Sequence, residues 1–253
     1  MTQALLRLEE VSKHYGGLTV TDRLTFEIAA NELHAIIGPN GAGKTTLIQQ
    51  ITGWLAPESG RILFDGRDIT RLSVADRVRR GMARSFQLTS VLPRFSALEN
   101  VALAVQARSG SSFRFFRDVT GETALNAPAS GLLERFGLGE RADVPAGHLS
   151  HGEQRQLELA IALATEPKLL LLDEPLAGTG HEEARRIVAL LQELKGSLAI
   201  MLIEHDMEAV FALADRVSVM LYGRLIATGT PAEIRDNPQV RAAYLGAEPV
   251  LPC

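Results

Sequence analysis

Short apolar runs of strand length recur along the chain, several followed by stretches whose apolar residues return every three or four positions. Residues 5–11, 24–28 and 33–37 read as three early strands. Residues 43–52 follow as a helix, with Gly53 as its C-terminal cap. A strand over 61–64 is turned by Asp65 and Gly66, and 82–86 makes another short one. From about 96 to 165 the pattern changes. Leu98, Val101, Ala102 and Val105, then Leu132, Leu133 and Phe136, keep helical spacing with almost no strand signal. Between 110 and 129 Gly, Ser, Phe and Arg accumulate, as in an insertion or mobile connection. Strands return at 169–172, 198–203, 217–222 and 224–228, with helices over 182–194 and 207–213 between them. The pattern predicts an α/β core with a mostly helical subdomain inserted in its middle.

Composition narrows the class. The chain has 253 residues, 46% of them hydrophobic, which supports a sizeable core and excludes a disordered or fibrous protein. With 26 basic against 30 acidic residues the net charge is −4, which lacks the basic footprint of a nucleic-acid binder. The single cysteine, Cys253, excludes a disulfide framework and a cysteine metal cage, and fits a reducing compartment. Acidic residues come early in 1–10, unlike a secretory signal, and no apolar run approaches the roughly 20 residues of a membrane-spanning helix. His14, His34, His148 and His181 show no ligand spacing.

The strongest chemical signal is Gly38-Pro39-Asn40-Gly41-Ala42-Gly43-Lys44-Thr45, a G-x-x-x-x-G-K-[ST] loop between an expected strand and an expected helix. Glycines let successive backbone N–H groups turn inward around phosphate oxygens, where a side chain would collide. The helix N-terminus adds partial positive charge, Lys44 reaches the β/γ-phosphates, and Thr45 can hold Mg²⁺. Four leucines, 169–172, then bring Asp173 and Glu174 to the carboxyl end of a buried strand, where open α/β sheets bind ligands. Asp173 is placed to serve Mg²⁺ and Glu174 to activate or position the attacking water. Alone, such a pair of acids equally marks an exposed strand end.

Ser150-His151-Gly152-Glu153 lies ahead of that strand. Ser150 and Glu153 form an S-x-x-E capping box that opens an amphipathic helix, and by itself this is structural. A glycine inside the first turn is poor for a helix, yet useful where backbone approaches a phosphate. With these motifs in order, the chain resembles the ATP-binding subunits of ABC transporters over nearly its full length. The resemblance implies a phosphate-loop NTPase core, a mixed sheet with helices on both faces plus an antiparallel β part. In that division, 1–87 and 166–229 form the core, 88–165 the inserted signature subdomain and 230–253 a helical tail.

The resemblance also implies roles. Tyr15 stacks on adenine, and 38–46, including Thr46, hold the phosphates. Gln87 joins Thr45 and Asp173 around Mg²⁺, and His205 contacts the γ-phosphate. Ser150, Gly152 and Glu153 complete the ATP site of a partner cassette. The working unit is then a dimer with itself or a paralogue, seated on integral membrane permease subunits at the cytoplasmic face of the inner membrane. A solute-binding protein acts indirectly and nucleic acid has no part. Residues 88–98 are the candidate surface for the permease. Phe113, Phe115 and Phe116 with Arg114 and Arg117 suit either contact with that partner or packing on the chain's own core.

Two departures stand out. His151 and Glu153 replace the usual first glycine and glutamine of the signature, and Gly180 stands where the family places Asp or Asn. Residues 229–235 and 243–246, with 15–18, are similar to ATPases of branched-chain amino acid, amide and urea importers. Thr230 and Glu233 there also form a second capping box. The alternatives are an ABC-type ATPase of lipid export, DNA or ribosomes, or a phosphate-loop kinase. No sustained heptad run or second cassette supports the DNA or ribosome type, and a kinase has no use for the 150–153 element.

Overall fold

A computed structural model describes residues 4–85, 91–108 and 123–242. In chain order the first elements are β1 (Ala4–Tyr15), β2 (Leu18–Ala29), β3 (Leu33–Ile37), α1 (Lys44–Thr52), β4 (Ser59–Phe64), β5 (Arg67–Asp68), α2 (Val74–Arg79) and β6 (Met82–Arg84). Three longer helices follow: α3 (Ala97–Arg108), α4 (Thr123–Arg135) and α5 (His151–Ala164). The chain then alternates through β7 (Leu169–Asp173), α6 (His181–Leu194), β8 (Ala199–Ile203), α7 (Met207–Leu213), β9 (Arg216–Leu221) and β10 (Arg224–Gly229). It closes with the short α8 (Pro231–Asp236) and α9 (Pro238–Val240).

The strands form two sheets. One is antiparallel, ordered β2-β1-β4-β5, and the other runs β10-β9-β3-β8-β7-β6. In the second, β9, β3, β8, β7 and β6 are parallel and β10 is an antiparallel edge. Every residue of β3, β7 and β8 is buried, which explains why their sequences are unbroken rather than alternating. Period-two geometry splits these residues between two cores. Leu33, Ala35, Ile37, Leu170 and Leu172 pack with α3 to α7, while Ile36, Leu169 and Leu171 pack with α1 and the antiparallel sheet. The insertion therefore shares one face of the sheet's core.

His34, fully buried on β3, is satisfied by a polar chain. Its Nδ1 lies 2.9 Å from Glu32 Oε1, its Nε2 2.8 Å from Ser218 Oγ, and Ser218 reaches Thr228 Oγ1 at 2.7 Å. These bonds tie β3 to β9 and β10.

Several elements differ from the sequence pattern. β1 and β2 outrun their apolar cores because they pair as a hairpin down to Tyr15 opposite Leu18. α2 was not expected: Ser73 caps it, and buried Arg77 donates to the carbonyls of Gln50, Ile51, Thr70 and Leu72. Arg77 thus ties the carboxyl end of α1 to the start of α2. α4 begins at Thr123, inside the stretch expected as a connection, because Leu125, Ala129 and Leu133 bury at helical spacing in the same core as α3. Residues 113–117 and 243–246 lie outside the described residues. No described helix is long and apolar enough to cross a membrane.

Candidate functional site

The order β3-β8-β7 brings three loops to one edge of the parallel sheet: the phosphate loop after β3, Glu174 after β7 and His205 after β8. This is the edge where open α/β sheets place ligands. The phosphate loop is wedged into the fold. A Cβ on Gly38 would stand 2.1 Å from the Met220 carbonyl oxygen, and one on Gly43 2.4 Å from that of Val20. Gly43 also has φ +104°, which a side chain disfavours. The Gly223 N–H donates to the Ala42 carbonyl at 2.9 Å and anchors the loop to the β9–β10 turn.

Within the loop, Lys44 Nζ donates to the carbonyls of Gly38 at 2.6 Å and Pro39 at 3.1 Å. Burial pushes this ammonium below the usual lysine range, against the pull of Glu174 and then Asp173. Thr45 and Thr46 occupy the first turn of α1, which carries no acidic residue to neutralise the helix N-terminus. Asn40 and Gly41 form the tip between them and Pro39.

Asp173 is buried at the end of β7. Burial raises its carboxyl above the usual range, and Arg84, whose Nη2 lies 2.9 Å from Oδ2, opposes that rise. The next residue, Glu174, has φ +51° and donates its N–H to the Ile203 carbonyl at 2.9 Å. A non-glycine residue held in the left-handed region stores strain of a kind concentrated at functional sites. Thr45 and Asp173 together offer a hydroxyl and a carboxylate, hard oxygen donors suited to Mg²⁺.

Glu204, which the sequence presents only as an acidic neighbour of His205, acts as a clamp. Its fully buried carboxylate accepts the Leu176 N–H at 2.8 Å and the His205 N–H at 3.0 Å. The loop after Glu174 and the one carrying His205 are thereby joined. The His205 side chain is 64% exposed, with its Nδ1 3.7 Å from Glu204 Oε2. Tyr15 ends β1 half-exposed, with Lys13 Nζ 5.3 Å from its ring centroid. Lys13 and His14 both reach the Glu58 carboxylate, which they hold down at about 2.

The 150–153 element sits apart in kind. Ser150 Oγ accepts the Glu153 N–H at 3.2 Å while Glu153 Oε2 accepts the Ser150 N–H at 2.8 Å, completing the capping box of α5. Glu153 also takes the Arg141 Nε at 3.0 Å, so its carboxylate is engaged within the chain. Gly152 is buried, and a Cβ there would stand 2.1 Å from the Glu183 carboxylate of α6. Glu183 Oε2 in turn accepts the Gly180 N–H at 2.9 Å. Lys44, Asp173 and Glu174 are thus brought within electrostatic reach of one another, and Glu204 pins His205 to the same edge. Gln87 lies outside the described residues.

Residues 21–177 match the ABC transporter family, and residues 224–250 match the branched-chain amino acid ATP-binding cassette transporter family. The chain is 38% identical to the high-affinity branched-chain amino acid transport ATP-binding protein LivG of Salmonella typhimurium, covering 97% of this chain and 99% of that protein. It is 31% identical to the lipopolysaccharide export system ATP-binding protein LptB of Haemophilus influenzae, covering 97% and 98%. A solved ATP-binding cassette of an ABC transporter, in its ADP conformation, superposes with a TM-score of 0.83 at 31% identity, covering 97% of this chain and all of that one. A phosphate loop wedged between β2 and β9, an Asp-Glu pair at the end of β7 and a match over most of the chain lead to one assignment: the chain belongs to the ABC transporter family and is one of its nucleotide-binding ATPase cassettes.

Proposed function

We propose that this cassette powers the import of branched-chain amino acids or related amides through a separate permease. The convergence of Lys44, Asp173 and Glu174 at one sheet edge carries the hydrolytic part of this reading. The match of residues 224–250 to branched-chain amino acid cassettes carries the cargo.

Tyr15 stacks the base, and 38–46 with the N-terminus of α1 receive the phosphates. Lys44 exchanges its two loop carbonyls for β/γ-phosphate oxygens. Glu174 accepts a proton from the attacking water, and His205, steadied through the Glu204 clamp, holds the γ-phosphate in line. Thr45, Asp173 and Gln87 would hold Mg²⁺, which would supply charge neutralisation at the phosphate oxygens. Residues 88–165 act as the signature subdomain, and its Ser150 and Gly152 close on nucleotide held by a second copy or a paralogue. ATP then favours the closed pair and hydrolysis removes that bias. The pair works on the cytoplasmic face of the inner membrane, fed indirectly by a solute-binding protein.

Lipid export is the second reading, supported by the 31% identity to LptB. Purification of the tagged chain from solubilised membranes should recover an integral membrane permease, and uptake of labelled leucine should stop when Glu174→Gln replaces the parent. Recovery of no membrane protein, or unchanged leucine uptake, contradicts the import reading. An accumulation of export lipid instead supports the second.

A further inference from the structure

The buried ion pair between Arg84 and Asp173 has no part in the roles assigned so far. Their side chains are 12% and 4% exposed, with Arg84 Nη2 2.9 Å from Asp173 Oδ2. Arg84 ends β6, the edge strand beside β7, in register with Leu171, and the Ser85 N–H continues the ladder to the Leu171 carbonyl at 3.0 Å. The guanidinium is thus carried on a strand, with its reach toward Asp173 set by the sheet. A buried pair of this kind contributes little net stability, because desolvation of both charges offsets their attraction. Its value lies in what it does to the carboxylate.

Asp173 stands next in the chain to Glu174, and the two acids share their surroundings with Lys44. Arg84 sets a positive charge against Asp173 and fixes one of its oxygens at 2.9 Å.

We propose that Arg84 is a positioning residue of the metal–nucleotide site, fixing one oxygen of the Asp173 carboxylate through their buried ion pair and competing with the divalent cation for it. The proposal rests on the reading of Asp173 as the metal-side carboxylate. Removing the guanidinium makes the site more negative by one charge, and two affinities then move in opposite directions. A divalent cation binds more tightly to a carboxylate freed from its competitor. Metal-free ATP, itself an anion, binds more weakly to a site that has lost a cation. A merely structural residue would lower both.

The test uses the full chain with Arg84→Gln, Arg84→Lys and Asp173→Asn. Binding of a fluorescent ATP analogue is measured in EDTA, and Mn²⁺ binding is followed by electron paramagnetic resonance with a non-hydrolysable ATP analogue present. For Arg84→Gln, metal-free nucleotide affinity should fall and Mn²⁺ affinity rise, each by about three- to tenfold. Arg84→Lys keeps the charge and should leave both within about twofold of the parent. Changes of the same sign in Arg84→Gln, no change, or equal shifts in the lysine variant overturn the proposal. If Arg84→Gln does not fold, a lysine variant that shifts either affinity beyond that range overturns it, and one that shifts neither supports it. Asp173→Asn separates the two levels. Unchanged Mn²⁺ affinity there contradicts the site reading itself, whereas a loss there with no crossed effect at Arg84 sinks only this proposal.

Discussion

The phosphate loop and the turn that opens α5 both depend on glycine, but different things fill the space their glycines leave. Gly38 and Gly43 face backbone, the carbonyls of Met220 and Val20, which belong to strands on either side. Gly152 faces the end of a side chain, the Glu183 carboxylate, which can swing away. The first turn is therefore built into the fold, and the second is held by a contact that can be exchanged. That contrast suits their proposed tasks. One turn must keep a fixed cradle through every cycle, while the other must meet and leave a partner's nucleotide.

The contrast can be broken in order of size. Gly43→Ala combines a strained φ with a backbone collision and should cost about 4 kcal/mol. At 2–4 °C per kcal/mol for a chain of roughly this size, calorimetry should show Tm falling by about 10 °C. Arg77→Ala removes the side chain that satisfies two carbonyls at the end of α1 and two in the segment before α2, and should cost about 3 kcal/mol by denaturant titration. A far smaller loss would mean that α1 is not fixed in place as described.

Gly152→Ala should cost only about 1 kcal/mol, since Glu183 can move at the expense of its bond to the Gly180 N–H. In a Glu183→Ala background the same substitution should cost almost nothing, and a double-mutant cycle reads the difference. A full cost in that background would show that Glu183 is not what excludes a side chain at 152.

The smallest effect concerns Glu58, held by Lys13 and His14. Its folded pKa is about 2 against an ordinary 4.5, so its stabilising contribution is complete above 4.5 and lost as pH falls toward 2. The Tm gap between the parent and Glu58→Gln should accordingly narrow between about pH 5 and pH 3, and a gap that widens contradicts the Lys13–Glu58–His14 contact.

Much of this was legible in the chain. β3, α1, β7 and α7 follow from period and cap signals, and the capping boxes at Ser150 and Thr230 form as their spacing dictates. What stayed hidden is tertiary. Arg84 finds Asp173, Arg77 finds the end of α1, Glu204 joins two loops and Glu183 covers Gly152, each across a sequence distance that leaves no local pattern. Gly180 is a case in between. Its departure from the family was plain in the sequence, and the carboxylate that takes its N–H is local, Glu183 in the first turn of α6, whereas the approach of that carboxylate to Gly152 comes into view only in the fold.

The central claim is that Glu174, held in left-handed backbone beside Asp173, performs the proton transfer of ATP hydrolysis. Equilibrium ATP binding and steady-state hydrolysis of Glu174→Gln test it together. ATP affinity should stay within about twofold of the parent while kcat falls by at least about a hundredfold. Unimpaired hydrolysis, or a loss of turnover that merely tracks a loss of ATP binding, would contradict it.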